Sequence, residues 1–137
     1  MRLSKRSEYG IKAAIRLASH SGRGYLQSRE IASSEGLPAK FLESILLALR
    51  SARILESKVG AGGGYRLARD ASQVSVIEVI RALNSVNDDE PSDNPDSPGS
   101  IGLDVINRRL DEALEGAVGG LTLAMLAAKS GAALTTA

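Results

Sequence analysis

A run of glycines beside two cations is the feature of this sequence best suited to holding a phosphate. The segment 60–64, Gly-Ala-Gly-Gly-Gly, lies between Lys58 and Arg66, and backbone N–H groups without neighbouring side chains can approach a phosphate closely. A nucleotide-binding P-loop requires Gly-Lys-Ser/Thr at the start of a helix, whereas Tyr65 follows the run here. A dinucleotide fold requires a longer strand–helix–strand unit and an acidic partner, and neither is present. The glycines are therefore expected to form the tip of a hairpin between strands at 54–59 and 65–67.

Residue types that catalyse reactions or bind metals are scarce in this chain. His20 is the only histidine, the sequence suggests no partner for it, and the chain has no cysteine. We therefore expect no catalytic residues, no metal ligands and no enzyme activity. The acidic residues within 85–100 lack the glycine and the closing glutamate of an EF-hand loop, so a solvated segment is expected there.

The stretch 28–53 predicts two helices joined by a tight turn. Ser28 is expected to cap the first helix, and Gly36 supplies the positive φ that ends it. Pro38 suits the first turn of the second helix. One buried face of that helix is predicted from apolar residues at three- and four-residue steps, namely Leu42, Ile45, Leu46 and Leu49. This spacing is that of a helix-turn-helix, although an ordinary pair of core helices has the same pattern.

The flanking elements favour the first of these two interpretations. Residues 4–19 predict a preceding helix, and residues 75–84 predict a following helix that is capped by Ser75. The apolar stripe of the first helix is expected to consist of Ile11, Ala14, Ile15 and Ala18. The order helix, turn, helix and hairpin is typical of a winged helix-turn-helix. The predicted fold is therefore mainly α with a small β-hairpin, and residues 1–84 are predicted to form a DNA-binding domain.

Charge is divided unequally along the chain. Residues 1–81 contain 14 Lys or Arg and 7 Asp or Glu, whereas residues 82–137 contain 3 and 9. The net charge of +1 thus conceals a basic half, which holds the helix-turn-helix, and an acidic half. A positive surface favours the phosphate contacts that dominate nucleic-acid affinity.

The acidic half predicts a linker followed by a dimerisation helix. Residues 85–101 are rich in proline and acidic residues, and we expect a flexible loop there. Residues 102–130 predict a long helix and a short terminal helix, with a fraying tail at 131–137. An apolar stripe on the long helix, expected to pack against a second copy of the chain, consists of Leu103, Ile106, Leu110, Leu114 and Val118. Folding of this helix back onto its own domain is the alternative.

The sequence shows neither a membrane-spanning segment nor a signal-peptide pattern. No apolar run approaches the roughly 20 residues that span a bilayer. The basic N-terminus is not followed by the apolar core of a signal peptide. A cytoplasmic location without a membrane partner is therefore expected.

With these elements placed, the sequence resembles the family of bacterial winged-helix transcription regulators that includes IscR, NsrR and CymR. The resemblance covers residues 1–84 and is weaker through the long helix. It is carried by the segments MRLSKRSEYGIKAAIRLA, IASSEGLPAKFLESILLALRSARIL, VGAGGGYRLA and SVIEVIRALN. The resemblance implies a homodimeric DNA-binding protein, usually a repressor and sometimes an activator. It also implies that the recognition helices enter successive major grooves of a near-palindromic operator.

Carried onto this chain, the resemblance makes residues 38–50 the recognition helix and the hairpin a wing that reaches the flanking minor groove. Lys40 is a candidate to reach a guanine or a phosphate, Glu43 can accept from cytosine N4, and Ala39 can contact a thymine methyl. Ser44 lies on the same face of this helix. The candidates for contact with the DNA backbone are Arg2, Lys5, Tyr9, Ser28, Arg50, Lys58, Gly60, Gly62, Gly63 and Gly64, and Phe41 and Tyr65 complete the DNA-binding set.

The sequence departs from the family in two respects. Many members carry three cysteines before the dimerisation helix, where they bind an iron–sulfur cluster, and this chain has none. Carboxylates are poor ligands for such a cluster, so we expect no cluster and no other cofactor. Val59 stands where several members have a basic residue, and a weaker minor-groove readout is therefore expected.

The leading hypothesis is thus a cluster-free, homodimeric DNA-binding repressor. The alternative is a protein-interaction module whose helical dimer binds an enzyme or another regulator. The sequence leaves open the operator, the regulated genes and the choice between repression and activation. It also leaves open whether a small-molecule effector or a protein partner supplies the signal.

Overall fold

Helices and one hairpin are the regular elements in the described part of the chain. The structure is a computed structural model that describes residues 2–84 and 94–136, with side chains up to residue 129. In chain order the elements are α1 (Lys5–Ser19), α2 (Ser28–Glu35), α3 (Ala39–Ser51), β1 (Leu55–Lys58), β2 (Gly64–Leu67), a 3₁₀ turn (Ala71–Gln73), α4 (Val76–Asn84), α5 (Pro98–Val118) and α6 (Leu123–Thr136). The predicted fold class, a winged helix-turn-helix with a long C-terminal helix, is confirmed.

Helix α1 is central to the core and packs through small residues. Ser4 caps it, because its hydroxyl accepts a hydrogen bond from the Ser7 N–H at 3.1 Å. The buried side of α1 is formed by Ser7, Gly10, Ala13, Ala14, Leu17 and Ala18. The predicted stripe is wrong in part, since Ile11 and Ile15 are only half-buried. Small residues take the central positions because α3, α4 and α6 all pack against α1.

The helix-turn-helix forms around Gly36, as its sequence predicts. Gly36 ends α2 in the left-handed conformation with φ +67°. The predicted cap at Ser28 is wrong: Ser28 is already helical, because the carbonyl of Gln27 accepts hydrogen bonds from the N–H groups of Glu30 and Ile31. Pro38 likewise lies one position outside the first turn of α3, where its carbonyl accepts from the Leu42 N–H at 3.0 Å.

Helix α3 buries the face that its spacing predicts. Leu42, Ile45, Leu46 and Leu49 are each at most 1% exposed. This face packs on α1, α2 and α4, so the opposite side of α3 is left for solvent or a partner.

The wing is an antiparallel hairpin with a third, single-residue pairing. Leu55 pairs with Leu67 at its base, and Lys58 pairs with Gly64 near its tip. Leu26, before α2, adds a bridge in which its N–H and carbonyl exchange hydrogen bonds with Tyr65 at 2.9 and 2.7 Å. A lone hairpin is marginally stable in water, and this bridge fastens the wing to the helix-turn-helix.

The C-terminal region returns to the core after α5. The N–H of Leu123 donates to the Val74 carbonyl at 2.9 Å, and the N–H of Val76 donates to the Leu121 carbonyl at 3.0 Å. Leu123 is completely buried, and α6 packs against α1. Ser75 caps α4 as predicted, with the Glu78 N–H at 3.2 Å from its hydroxyl.

Helix α5 is longer than predicted and is largely uncovered by the part of the chain that the structure describes. It begins at Pro98, where Ser97 caps it, rather than at residue 102, and none of its 21 residues is buried. The predicted loop therefore ends earlier than 101, and its residues 85–93 lie outside the described part. Helix α6 continues to Thr136, so most of the expected tail at 131–137 is helical. In the described ranges no helix is long and apolar enough to cross a membrane.

Replacing Gly10 tests the close packing of α1. A Cβ at this position would overlap Leu83 and lie 3.4 Å from Ile45. Gly10→Ala should therefore destabilise the fold by about 1–3 kcal/mol, as overpacked cores do. The free energy of unfolding from urea titration measures the effect.

Gly116→Ala is the matched control for this substitution. Gly116 lies within a helix, and an added Cβ there meets nothing within 4 Å. It should stabilise the protein by about 0.5–1 kcal/mol, the usual advantage of Ala over Gly in a helix. A Gly10→Ala protein as stable as Gly116→Ala would contradict the packing argument.

Candidate nucleic-acid interface

The exposed side of α3 is divided between residues that face outward and residues that contact α1. Ala39, Lys40 and Glu43 are exposed. The ring of Phe41 instead meets the ring of Tyr9 edge-on, with centroids 5.7 Å apart and an angle of 84° between the planes. The hydroxyl of Ser44 accepts a hydrogen bond from the Arg6 guanidinium at 3.2 Å. The predicted contact set of α3 therefore contains two kinds of residue.

A shallow groove of about 530 Å³ runs between α3 and the wing. It brings together residues from the start of α2, from α3 and from the wing, namely Gln27, Ser28, Arg29, Glu43, Gly60, Gly63, Gly64 and Tyr65. Six of these eight are among the residues predicted to contact DNA. Gln27 and Arg29 are the two that sequence reasoning missed. Arg29 could have been predicted as a groove residue, because it directly follows Ser28, a predicted DNA contact, at the start of α2.

The wing tip keeps its shape through its glycines. Gly60 and Gly62 have φ of +96° and +74°, and the N–H of Gly63 donates to the Gly60 carbonyl at 3.0 Å. This turn leaves Lys58 exposed and Val59 95% exposed beside it. The conformation is one that side chains rarely adopt, so glycine is needed here for geometry as well as for close approach to a partner.

Gly63 and Gly64 are packed against the backbone of their own chain. A Cβ at Gly63 would overlap the Lys58 carbonyl, and one at Gly64 would overlap the Leu26 carbonyl. Tyr65 is half-buried and packs against the core. These three residues hold the wing in place, and their contact with DNA stays a prediction.

The two cations near the wing differ in whether another side chain of the chain engages them. Arg66 forms an ion pair with Glu56 and lies over the Tyr25 ring, 4.4 Å from its centroid. The hydrogen bond from Arg66 to Glu56 raises the pKa of the guanidinium above its ordinary value. Both Arg66 and Lys58 are exposed, but Arg66 is engaged with Glu56 and Tyr25 in the hairpin region.

The remaining predicted contacts lie at the surface. Arg2 and Arg50 are exposed. Lys5 is exposed and 3.6 Å from the Glu8 carboxylate, a solvated pair that contributes little to stability. Their role in DNA contact stays a prediction.

The chain does not provide ligands for a thiolate-bound metal cluster. It has no cysteine. Within residues 2–84 and 94–136 there is also no group of three His, Asp or Glu side chains that could hold a metal ion. An iron–sulfur cluster of the usual thiolate type therefore does not fit this chain.

Comparison with known families agrees with this geometry. The family model for Rrf2, described as iron-dependent transcriptional regulators, matches residues 3–129. The chain belongs to the Rrf2 family. Members of this family are transcriptional regulators rather than enzymes, as the sequence predicts.

Individual relatives and solved structures of Rrf2-type regulators show the same similarity. IscR of Sodalis glossinidius is 37% identical over 76 residues, which make up 56% of this chain and 46% of that protein. CymR of B. subtilis, called the global cysteine regulator, superimposes with a TM-score of 0.72 at 26% identity, covering 94% of this chain and 98% of that one. IscR of T. potens gives 0.71 at 29% identity, covering 92% and 86%. The chain matches about half the length of its curated relatives.

Gly64→Ala tests whether the glycine holds the wing to the helix-turn-helix. Gly64 has φ +134°, and an added Cβ would overlap the Leu26 carbonyl. We expect a lower Tm and faster amide hydrogen exchange at Leu26 and Tyr65, whose N–H groups form the bridge.

Gly60→Ala is the control that separates the effect of a steric clash from the effect of an unfavourable backbone conformation. Gly60 also has a positive φ, +96°, but nothing lies within 4 Å of an added Cβ. Gly64→Ala should cost about 1–3 kcal/mol more than Gly60→Ala, the cost of a steric clash. Equal losses of stability in the two variants would show that the contact with Leu26 is unimportant.

Proposed function

We propose that this Rrf2-family chain is a sequence-specific DNA-binding transcription regulator, a homodimeric repressor that acts on a near-palindromic operator without an iron–sulfur cluster. The observation that carries the proposal is the groove in which α2, α3 and the wing converge, within the basic half of the chain. Because the proposed partner is genomic DNA, we place the protein in the cytoplasm.

The N-terminal half of α3 suits the reading of base edges. In helix-turn-helix docking this part of the second helix enters the major groove. Lys40 offers hydrogen-bond donors, and Glu43 offers only acceptors, which suit cytosine N4. Glu43 also repels phosphates, so it favours registers in which it faces a base. We assign sequence reading to these two exposed residues together with Ala39.

Exposed cations around this helix suit the DNA backbone. Arg29 lines the groove at the start of α2, and Lys58 lies at the end of β1 beside the wing tip. Lysine and arginine side chains that neutralise phosphates release counterions, which makes affinity strongly dependent on salt. We assign backbone contacts to these residues and to Arg2, Lys5 and Arg50.

Helix α5 suits a dimer interface. Its apolar side chains are open in the single chain, with Leu103 and Ile106 56% exposed and Leu110 46% exposed. Leu114 and Val118, nearer to the domain, are half-buried. A helix of this length spans about 30 Å. Pairing of two such helices would bury a continuous apolar stripe and hold two recognition helices as one unit.

A protein-interaction module is the second candidate, and the open face of α5 is the observation that favours it. An enzyme or another regulator could cover this stripe in place of a second copy. The two candidates differ in the oligomeric state of the purified protein and in its DNA binding.

DNA binding is tested by selecting bound sequences from a random pool and measuring affinity at several salt concentrations. Lys40→Ala and Glu43→Ala should change the selected sequence. Lys58→Ala should weaken binding to all sequences alike and reduce the slope of log K against log salt by about 1. No enrichment of any sequence by the wild-type protein would refute the proposal.

Arg108→Ala is the control for these charge changes. Arg108 is an exposed cation on α5, remote in sequence from the groove. Its removal changes the net charge as much as Lys58→Ala does, but it should leave both the selected sequence and the salt slope as they are in wild type.

Dimerisation through α5 is tested by sedimentation equilibrium. Leu110→Glu places a charge within the apolar stripe and should convert a dimer to a monomer, because burial of an unpaired charge is unfavourable. Arg108→Glu alters an exposed, polar position of the same helix and should remain dimeric. A monomeric wild-type protein would contradict dimerisation through α5 and would favour a different partner for its open face.

A further inference from the structure

The side chain of Arg6 joins three helices next to the recognition helix. Its Nε donates to the carbonyl of Leu83 at 3.3 Å, and one terminal nitrogen donates to the Ser44 hydroxyl at 3.2 Å. The residue thus connects α1, which carries it, with α3 and with the end of α4. Sequence reasoning assigned it no role.

The hydrogen bond to α4 provides a partner for a carbonyl group at the C-terminal end of that helix. The last four carbonyl groups of a helix have no partner within it, and they carry a partial negative charge. Leu83 is the penultimate residue of α4, and its carbonyl is one of this set. A guanidinium is a suitable partner because it is permanently charged and offers several donors in a rigid plane.

The contact with α3 continues into the turn 41–44, which contains Glu43. The Ser44 hydroxyl accepts from Arg6 and donates to the Phe41 carbonyl at 3.1 Å. Phe41 in turn meets the Tyr9 ring. Arg6 and Tyr9, one turn apart on α1, therefore hold the same turn of α3 at two points.

This arrangement adds a restraint on the rotation of α3 about its axis. Ser44 directly follows Glu43 and lies one turn after Lys40, so the angle at which Ser44 is held sets the direction of both reading residues. The buried leucines restrain α3 from the other side, but apolar contacts are not directional. A hydrogen bond is directional, and the guanidinium that donates it to Ser44 is itself held at a second point by the Leu83 carbonyl.

We propose that Arg6 is a positioning residue for sequence recognition, which acts through Ser44 and is anchored on the Leu83 carbonyl. The proposal rests on the proposed DNA-binding function. Arg6 sets the angle of Lys40 and Glu43 and does not itself contact the DNA phosphates. Its loss therefore lowers discrimination between sequences rather than overall attraction to DNA.

Arg6→Lys is the decisive variant, because lysine keeps the charge but lacks the planar fork. Affinity is measured for the sequence selected from the random pool and for a scrambled duplex of the same composition. We expect the ratio of the two affinities to fall about tenfold, with the salt slope equal to that of wild type. If Arg6 were a phosphate contact, lysine would replace it, and an unchanged ratio would overturn the proposal.

Lys5→Ala is the comparison variant for a simple charge contact. Lys5 is exposed on the same turn of α1. Its loss should weaken binding to both duplexes by the same factor and reduce the salt slope, with no effect on their ratio.

Ser44→Ala and the double variant test the route of action. Ser44→Ala should lower the ratio of affinities, and Arg6→Lys combined with Ser44→Ala should lose no more than the larger single effect, because both remove one connection. Losses that multiply in the double variant would overturn the route through Ser44.

Amide hydrogen exchange without DNA separates this proposal from the proposed function. Arg6→Lys and Ser44→Ala should each speed exchange at the amides of residues 42–46, and Lys5→Ala should not. Unchanged exchange in Arg6→Lys would overturn the positioning role even if the wild-type protein binds DNA. Failure of the wild-type protein to prefer its selected sequence would instead refute the proposed function.

Discussion

Between α1 and α4 there is no room for a Cβ atom at Gly10, because Leu83 occupies that space. The same glycine lies near Ile45, so α3 and α4 both approach α1 at this point. Close packing of this kind fixes the relative positions of three helices, since interiors at crystal-like density tolerate little displacement. Leu83 then presents its carbonyl to Arg6, and Arg6 reaches α3. The orientation of the exposed face of α3 depends on this contact.

The wing depends on a second close approach, between Gly64 and the backbone of Leu26. The bridge from Leu26 to Tyr65 joins the hairpin to the segment that immediately precedes α2. As a result, the start of α2, the exposed side of α3 and the base of the wing surround one groove. A hairpin without this bridge would be free to move, and it could not hold Gly60 and Lys58 at a defined distance from Glu43.

The C-terminal part divides into a covered helix and an uncovered one. Leu123 and the short bridge between Ser75 and Thr122 anchor α6 to the core, which leaves α5 outside with its apolar side chains open. Arg81 pairs with Glu115 at 2.9 Å and joins α4 to the last turn of α5. The long helix is therefore attached near its C-terminal end, and in the described part of the chain its apolar stripe is exposed along most of its length.

Local features could be predicted because they depend on neighbours in sequence. The turn at Gly36, the cap at Ser75 and the buried face of α3 follow from backbone conformation and helical period, and all three are found as predicted. The glycine run and its flanking strands likewise predicted the hairpin, and the order of elements predicted the winged helix-turn-helix. Helix starts were less well defined, as at Ser28 and Pro98, because the first hydrogen bond of a helix can form one turn earlier or later at small cost.

Contacts between distant segments could not be read from the sequence. Only the tertiary structure decided that Ile11 and Ile15 lie at the edge of the core, that Arg66 is engaged by Glu56, and that Arg29 lines the groove. The sequence alone determined the presence of a helix-turn-helix, its basic half and the lack of cysteine ligands. Packing decided which side chains on those elements are exposed to a partner. The exposure of a residue depends on which other segments of the fold pack against it, and those segments are distant in sequence.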